Sequence, residues 1–170
     1  MLRRRAVNGG LIGLGWGGMG LAGRPSHAES ERPALVVSGR IGAADPNSTE
    51  RRFSLAALEA LGTRELVTVT PWTRGPQRFT GVPLQRLLEA VQAQGGELLA
   101  VALNDYRAVI PAAEAVKADG LLATRMDGQP IRIRDFGPLW MVFPWSDRPE
   151  LSRPALHYYA VWQLARIEVR

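Results

Sequence analysis

The chain has 170 residues, with 21 basic side chains, 16 acidic ones, two histidines and no cysteine. This length suits one domain and is too short for two of ordinary size. The absence of cysteine excludes disulfides, and so few histidines leave no cluster that could hold zinc. A serine hydrolase would need His157, and no G-x-S-x-G motif accompanies it.

The excess of basic residues lies mostly in the first 28 residues. Four of the 21 basic side chains are there with no acidic one, which leaves 17 basic against 16 acidic residues in the remainder. This balance lacks the basic footprint of a nucleic-acid-binding protein, so we expect no nucleic-acid partner.

Those first 28 residues also have the three-part layout of a secretory signal peptide. M-L-R-R-R is followed by a Gly-rich apolar run at residues 11–22 and by S-H-A, which ends at Ala28. We therefore predict cleavage after Ala28, export to the periplasm and one mature domain at residues 29–170. The apolar run is too short for a bilayer span of about 20 residues, so a retained anchor is the weaker alternative. The adjacent arginines leave general secretion and twin-arginine export both open.

The rest of the chain shows short strand patterns separated by turn signals and short helices. In chain order, the patterns predict strands at residues 34–39, 66–70, 98–103, 106–110, 121–126, 131–133, 139–143 and 160–169, and helices at 53–62, 84–91 and 111–116. Residues 151–159 receive no assignment. Ser54 suits the N-cap of the first helix, and Asp127 with Gly128 is a strong hairpin signal. Many short strands with few helices predict an α+β fold with a mixed sheet.

Residues 66–88 organise the chain. A strand pattern at 66–70 ends at Pro71, which has no N–H to donate to a sheet. A loop with Trp72 follows, and the chain then enters an amphipathic helix, whose first turn Pro83 suits.

Five short motifs follow in an order that resembles a known family. They are F-T-G-V-P-L at residues 79–84, A-L-N-D-Y at 102–106, M-D-G-Q-P at 126–130, F-G-P-L-W at 136–140 and V-W-Q-L at 161–164. With the preceding strand and loop, they resemble the molybdopterin-binding domain of the sulfite-oxidase fold over about residues 52–170. The resemblance implies a mixed, barrel-like β-sheet with short helices.

The chain departs from that family in the loop after the first of these strands. Family enzymes hold molybdenum there through a cysteine thiolate, whereas this chain has Thr70, Pro71 and Trp72 in the region. A threonine hydroxyl is a poor replacement, because it is far more basic than a thiol. We therefore predict that the protein binds no molybdenum and is not an enzyme, and that the pterin half of the site survives.

A pterin is a flat bicycle, so its pocket needs an aromatic or guanidinium plane and polar groups along the edge of the ring. The loops that carry the resemblance supply such residues: Thr70, Trp72, Arg78, Asn104, Asp105, Tyr106, Arg134, Gly137 and Trp140. For Trp140, packing in the core is an equal alternative, and Asp105 could simply form a turn. The aromatic loop at residues 144–149 is predicted to be exposed.

The resemblance narrows to small, exported members of the family that lack the cysteine. It implies a periplasmic receptor that binds a pterin and signals to a membrane protein, either a diguanylate cyclase or phosphodiesterase of cyclic-di-GMP or a sensor histidine kinase. One alternative is a molybdopterin-dependent oxidoreductase with a metal ligand other than cysteine. Another is an envelope protein that has kept the fold and lost the pocket.

Overall fold

The computed structural model describes residues 32–42 and 49–170. The predicted signal peptide and its cleavage site after Ala28 lie outside the described residues. The ten strands of the described part are β1 (Leu35–Gly39), β2 (Glu50–Phe53), β3 (Arg64–Thr68), β4 (Gln77–Pro83), β5 (Glu97–Ala102), β6 (Arg107–Pro111), β7 (Leu121–Met126), β8 (Gln129–Pro130), β9 (Trp140–Val142) and β10 (Leu164–Val169). Its α-helices are α1 (Leu55–Glu59), α2 (Leu84–Ala90), α3 (Ala112–Lys117) and α4 (Pro154–Tyr159).

The strands form two five-stranded sheets. In the first, the order is β2-β1-β10-β5-β6, with β1 and β10 parallel and the other pairs antiparallel. In the second, β3-β4-β7-β8 are antiparallel neighbours and β9 also pairs with β7. The α+β fold with a mixed sheet that the sequence predicts is therefore confirmed.

Strand alternation places the core on one face of each half-buried strand. In β3, Leu66 and Thr68 are buried while Glu65 and Val67 face solvent, which is the period of two that the sequence predicts. One hydrophobic cluster contains buried side chains of both sheets and of all four described helices. Burial of each large apolar side chain contributes about 1.5–3 kcal/mol, so this shared cluster is the main source of stability.

Helix α1 shows how short elements are held in place. Ser54 caps it by accepting a hydrogen bond from the N–H of Ala57 at 3.1 Å. Glu59, at its end, accepts from Thr124 Oγ1 at 2.8 Å and from two guanidinium nitrogens of Arg125 at 3.0 and 3.2 Å on β7. The hydrogen bond from Arg125 lowers the pKa of Glu59 against the opposing effect of burial. The helix is therefore fastened to the second sheet by a charged network.

Three local predictions are wrong, and one segment that received no assignment is a helix. The sequence predicts the first helix to begin at residue 53. That residue is instead the last one of β2, and α1 begins at Leu55. The strand predicted at 131–133 is a two-residue bridge at Gln129–Pro130 followed by a 3-10 helix at Ile133–Asp135. Helix α4 occupies residues left unassigned, because its six residues, starting at Pro154, are too few to show a helical period. Pro83 precedes α2 with extended backbone instead of lying in its first turn.

Candidate functional site

The loop after β3 is shaped by Thr70, the residue in the region where the family has cysteine. Its Oγ1 accepts from the backbone N–H groups of Trp72 at 3.2 Å and Thr73 at 3.1 Å. The same oxygen lies 2.9 Å from the hydroxyl oxygen of Thr73. Thr70 is buried, and its hydroxyl is committed to this turn. Its observed contacts are therefore structural ones that fix the start of the loop.

Trp72 packs in a group of aromatic rings that we call the aromatic cluster. Its members are Trp72, Phe136, Trp140, Trp145, His157 and Trp162. The ring of Trp72 meets four of them edge-on, with centroid distances of 5.6 Å to Trp162, 5.9 Å to Trp140, 6.1 Å to His157 and 6.3 Å to Trp145. Edge-to-face pairs of this kind stabilise packing, so Trp72 belongs partly to the core.

Three buried nitrogens of the aromatic cluster have no hydrogen-bond partner in the described part of the chain. They are Nε1 of Trp140, Nε1 of Trp145 and Nε2 of His157. A buried polar group without a partner costs about 1–3 kcal/mol, and native proteins have few of them. Three such nitrogens lie in rings that contact Trp72, so the aromatic cluster concentrates the unpartnered polar groups of the described structure.

Trp145 lies in the loop predicted to be exposed, and that prediction is wrong. Its side chain is only 5% exposed. The neighbouring Ser146 anchors the loop to the end of β3, because its N–H donates to Thr68 Oγ1 at 3.1 Å and its Oγ accepts from Val69 N–H at 2.9 Å. The two bonds hold Trp145 beside the loop that carries Trp72.

The loop at residues 132–138 reaches the cluster through Phe136, whose ring centroid is 4.7 Å from that of Trp140. Gly137 allows this path, since a Cβ there would lie 1.9 Å from the carbonyl oxygen of Ile131. Gly137 thus leaves room for the protein's own backbone at residue 131. Gln163 fixes the same loop, donating from Nε2 to Ile133 O at 2.8 Å.

The hairpin turn between β5 and β6 contacts α4. Asn104 accepts from the N–H of Tyr106, and Asp105 has a φ of 63°, so both form the turn. Tyr106 donates its hydroxyl to the carbonyl of Tyr158 at 3.1 Å. Burial, with a smaller effect of Tyr158, raises the pKa of Tyr106. Because Tyr158 follows His157 in α4, the turn is joined to the aromatic cluster through this helix.

Two predicted arginines lie apart from the aromatic cluster. Arg78 alternates with the buried Phe79 in β4, so it points to the outer face, where it pairs with Glu65 at 2.9 Å. Arg134 is 73% exposed, and among the described residues its guanidinium forms an ion pair with Asp135, at 3.9 Å. The structure thus brings Thr70, Trp72, Gly137 and Trp140 together, joins the 104–106 turn to them, and leaves both arginines outside. The roles of all nine residues in ligand binding remain predictions.

Sequence reasoning missed the contributions of Trp145 and His157. One signal was present in the chain: a second tryptophan in a proline-bounded loop, at residues 144–149, mirrors the position of Trp72 in its own loop. His157 carried no such signal, because its helix was unassigned. Among the described residues, no group of three or more His, Cys, Asp or Glu side chains could hold a metal ion, and no helix is long and apolar enough to cross a membrane.

The two sheets with few short helices are consistent with the molybdopterin-binding fold of the sulfite-oxidase type that the sequence resembles. A scan against protein-family models matches residues 47–146 to the oxidoreductase molybdopterin binding domain. The chain belongs to that family. A search of curated proteins finds no match.

Among solved structures, the chain is similar to the sulfane dehydrogenase SoxCD from Paracoccus pantotrophus, with a TM-score of 0.59 and 18% sequence identity. The match covers 83% of this chain and 38% of that chain. At this identity the similarity shows the fold alone. This chain spans less than half the length of the SoxCD chain that it matches.

The family match overturns two predictions. The prediction that the protein is not an enzyme is wrong, because the chain belongs to a family of oxidoreductase domains. The prediction of no molybdenum is wrong as well, since the ligand that defines the family is molybdopterin, the organic carrier of that metal. The physical error was to treat the cysteine thiolate as indispensable for holding the metal, since the pterin-binding half of the site was already expected to survive. A missing thiolate removes one bond to the metal and leaves the much larger pterin-binding surface.

The residues present fit the organic part of this cofactor. Aromatic planes and unpartnered nitrogens are what a flat heterocycle with polar edges requires. For the metal, the chain offers no thiolate. Molybdopterin carries its own pair of sulfur atoms, and soft sulfur ligands suit this metal. The cofactor therefore fits if it holds the metal itself and the protein holds the pterin.

Proposed function

We propose that the domain binds molybdopterin with its molybdenum and serves an oxidoreductase in which the protein supplies no thiolate to the metal. The observation that carries this is the aromatic cluster with three unpartnered buried nitrogens, in a domain of the molybdopterin-binding family. Bound there, the cofactor would supply a redox-active metal centre. The rings of Trp72 and Trp140 would hold the pterin, and the surrounding aromatic side chains would exclude water.

The test is to express the full chain in a host that makes molybdopterin and is supplied with molybdate. Molybdenum is measured by mass spectrometry, and the released pterin is measured by fluorescence after oxidation. We expect near-stoichiometric amounts of both. Trp72→Ala should lower the pterin content several-fold, because it removes a wall of the site. Gln85→Ala, an exposed change on α2, is the matched control and should leave it unchanged. Protein that carries neither pterin nor metal would refute this function.

A second candidate is signalling by the pterin-loaded domain to a membrane partner. One observation favours a partner near the site: Leu103, Tyr106, Val109 and Tyr158 are large apolar side chains that remain 41–51% exposed around the β5–β6 turn and α4. The partner we propose is the periplasmic domain of a cyclic-di-GMP enzyme or of a sensor histidine kinase. Calorimetry with such a domain tests this. Binding that is unchanged by Leu103→Asp and Tyr158→Asp would exclude this surface.

We also propose export to the periplasm, with cleavage after Ala28 and a mature domain at residues 29–170. The layout of the first 28 residues supports it. N-terminal sequencing of protein recovered from the periplasmic fraction should start at Glu29. A chain that keeps Met1 and stays in the cytoplasm would exclude export.

A further inference from the structure

Strand β3 is an outer strand of the second sheet, and in the described structure it pairs on one side only, with β4. An outer strand presents a row of N–H and C=O groups with which another chain can pair. Native proteins usually protect such an edge with charged residues, proline, a very short strand or a covering element. An outer strand without this protection is therefore a candidate interaction surface.

The other outer strands of the described sheets have such protection. Strand β2 carries three charged side chains in succession, at residues 50–52. Strand β8 has two residues, one of which is Pro130, and the three residues of β9 are all buried. Strand β6 ends at Pro111, and Tyr158 of α4 donates its hydroxyl to the carbonyl of Arg107 at 3.0 Å. Strand β3 contains no proline and has no helix bonded to its backbone in the described part of the chain.

The pairing of β3 with β4 fixes the direction of its backbone groups. Arg78 of β4 faces β7, because its N–H donates to Asp127 Oδ1 at 3.1 Å and its C=O accepts from Asp127 N–H at 2.7 Å. Val67, which lies opposite Arg78, therefore belongs to a pair that exchanges no hydrogen bonds. The two kinds of pair alternate along antiparallel strands, so Glu65 has the same orientation. The N–H and C=O groups of both residues point away from the sheet, and no described residue bonds to them.

Exposed apolar side chains accompany this edge. Val67 is 46% exposed and Val69 is 44% exposed. The N–H of Val69 is already used, since it donates to Ser146 Oγ. Glu65 forms its ion pair with Arg78 on the neighbouring strand of the same sheet. The open stretch of backbone is therefore short, from Glu65 to Val67, and it is flanked by apolar surface of the kind that marks a contact site.

A second copy of the chain is complementary to this edge. If two β3 strands run antiparallel about Leu66, Glu65 of each copy faces Val67 of the other. The facing residues then exchange their N–H···O bonds, and no like charges lie opposite each other. Arg78 lies beside Val67 in its own sheet. The row of side chains across the junction therefore contains Glu65 of one copy and Arg78 of the other, so the charges are complementary.

We propose that β3 pairs with β3 of a second copy in antiparallel orientation, which joins two second sheets into one continuous sheet across a two-fold axis. The pairing strands contain no member of the aromatic cluster, so the proposal is independent of the proposed function. Each copy contributes one short strand, which is less than the interface of a tight dimer. We therefore expect a dimer that dissociates on dilution.

The first experiment measures the mass of the full chain by sedimentation equilibrium from about 1 µM to about 1 mM, the range in which a small interface dissociates. We expect the mass to rise from that of one chain to that of two. Amide hydrogen exchange of the ¹⁵N-labelled chain at low and high concentration locates the contact. The N–H groups of Glu65 and Val67 should exchange more slowly at high concentration. The N–H of Leu66, which faces Phe79 of β4, is the internal control and should change little.

Val67→Pro removes the N–H that faces the second copy and no hydrogen bond within the chain, as proline on an edge strand requires. The dissociation constant should rise about ten- to hundred-fold, because each copy loses one hydrogen bond. Val109→Pro is the matched control. Val109 is 41% exposed in the outer strand β6, and since Ala102 N–H donates to Tyr106 O, the alternation of pairs turns its N–H outward as well. This control should dimerise within about two-fold of the unchanged chain.

A pair of charge variants tests the register and does not depend on proline. Val67→Glu places a carboxylate opposite Glu65 of the second copy, and like charges in facing positions are destabilising. The dimer should therefore weaken. Adding Glu65→Lys to that variant places opposite charges in the facing positions and should restore the dimer. If Val67→Pro fails to fold, these two variants and the exchange rates decide.

The proposal is overturned by a chain that remains monomeric at the highest concentration. It is also overturned by a dimer whose dissociation constant is unchanged in both Val67→Pro and Val67→Glu, because another surface then joins the copies. Exchange rates of the Glu65 and Val67 amides that do not depend on concentration would exclude this edge in the same way.

Discussion

Ser146 donates its backbone N–H to the buried hydroxyl of Thr68 at 3.1 Å, across 78 residues of chain. A second hydrogen bond joins the same two segments, because Val69 N–H donates to Ser146 Oγ at 2.9 Å. Because Trp145 precedes Ser146 and the Trp72 loop follows β3, this pair of bonds sets the distance between two walls of the aromatic cluster.

Thr68→Val keeps the shape of the side chain and removes the hydroxyl. We expect a loss of about 1–2 kcal/mol in the free energy of unfolding, because the N–H of Ser146 loses its acceptor. Urea denaturation measures this. Thr80→Val on β4 is the control, since the Thr80 side chain makes no hydrogen bond in the described structure, and it should change stability by less than about 0.5 kcal/mol. Equal effects of the two changes would show that the Thr68 bond contributes nothing.

Thr70→Val tests the turn that carries Trp72. The hydroxyl of Thr70 accepts from two backbone N–H groups and contacts a third polar group, so its removal should cost about 1–2 kcal/mol and loosen the loop. Thr73→Val removes only the contact between the two hydroxyls and should cost less. The ¹⁵N indole signal of Trp72 reports the result: it should broaden or shift in the Thr70 variant. An unchanged Trp72 signal would contradict a role for this turn.

Glu59→Gln tests the network between α1 and β7 through its pH dependence. Arg125 lowers the pKa of Glu59, so the stabilisation is present in full above the pKa of the unfolded chain and is lost as the pH falls through the lower folded value. The variant should be less stable by about 1 kcal/mol at neutral pH, and the difference should shrink in acid. Chemical denaturation at neutral pH and in acid measures the difference in the free energy of unfolding between the two proteins.

Glu65→Gln is the control for that measurement, because Glu65 forms an exposed ion pair with Arg78. Exposed pairs contribute about 0–1 kcal/mol. A Glu59 effect that stays constant from neutral to acid pH would contradict the assigned charge interaction.

Gly137→Ala tests the path of the loop that brings Phe136 to Trp140. The added Cβ would meet the carbonyl oxygen of Ile131 at 1.9 Å, far inside contact distance. We expect a loss of about 1–3 kcal/mol and a weaker contact between Phe136 and Trp140, visible in near-ultraviolet circular dichroism. Gly96→Ala, where a Cβ meets nothing within 4 Å, should leave both unchanged. A Gly137 variant as stable as this control would contradict the close packing.

The sequence predicted elements with strong local patterns and missed those set by distant contacts. Asp127 and Gly128 have φ values of 49° and 78°, as their turn chemistry requires. Arg78 could have been excluded from the cluster by the same local reasoning, because it alternates with Phe79 along one strand. The contacts of Trp145 and His157 with Trp72 could not be read from local patterns, since they join residues more than 70 positions apart along the chain.

Strand β10 is the last of the described strands in sequence, yet it lies in the centre of its sheet, between β1 and β5. The β1–β2 pair and the β5–β6 pair are not neighbours in the sheet and are joined through β10, which pairs with β1 and with β5. Both of these pairings join residues far apart along the chain. Such long-range pairing must overcome the entropy of closing a large loop before it contributes stability, so we expect the central strand to limit the rate at which this sheet assembles.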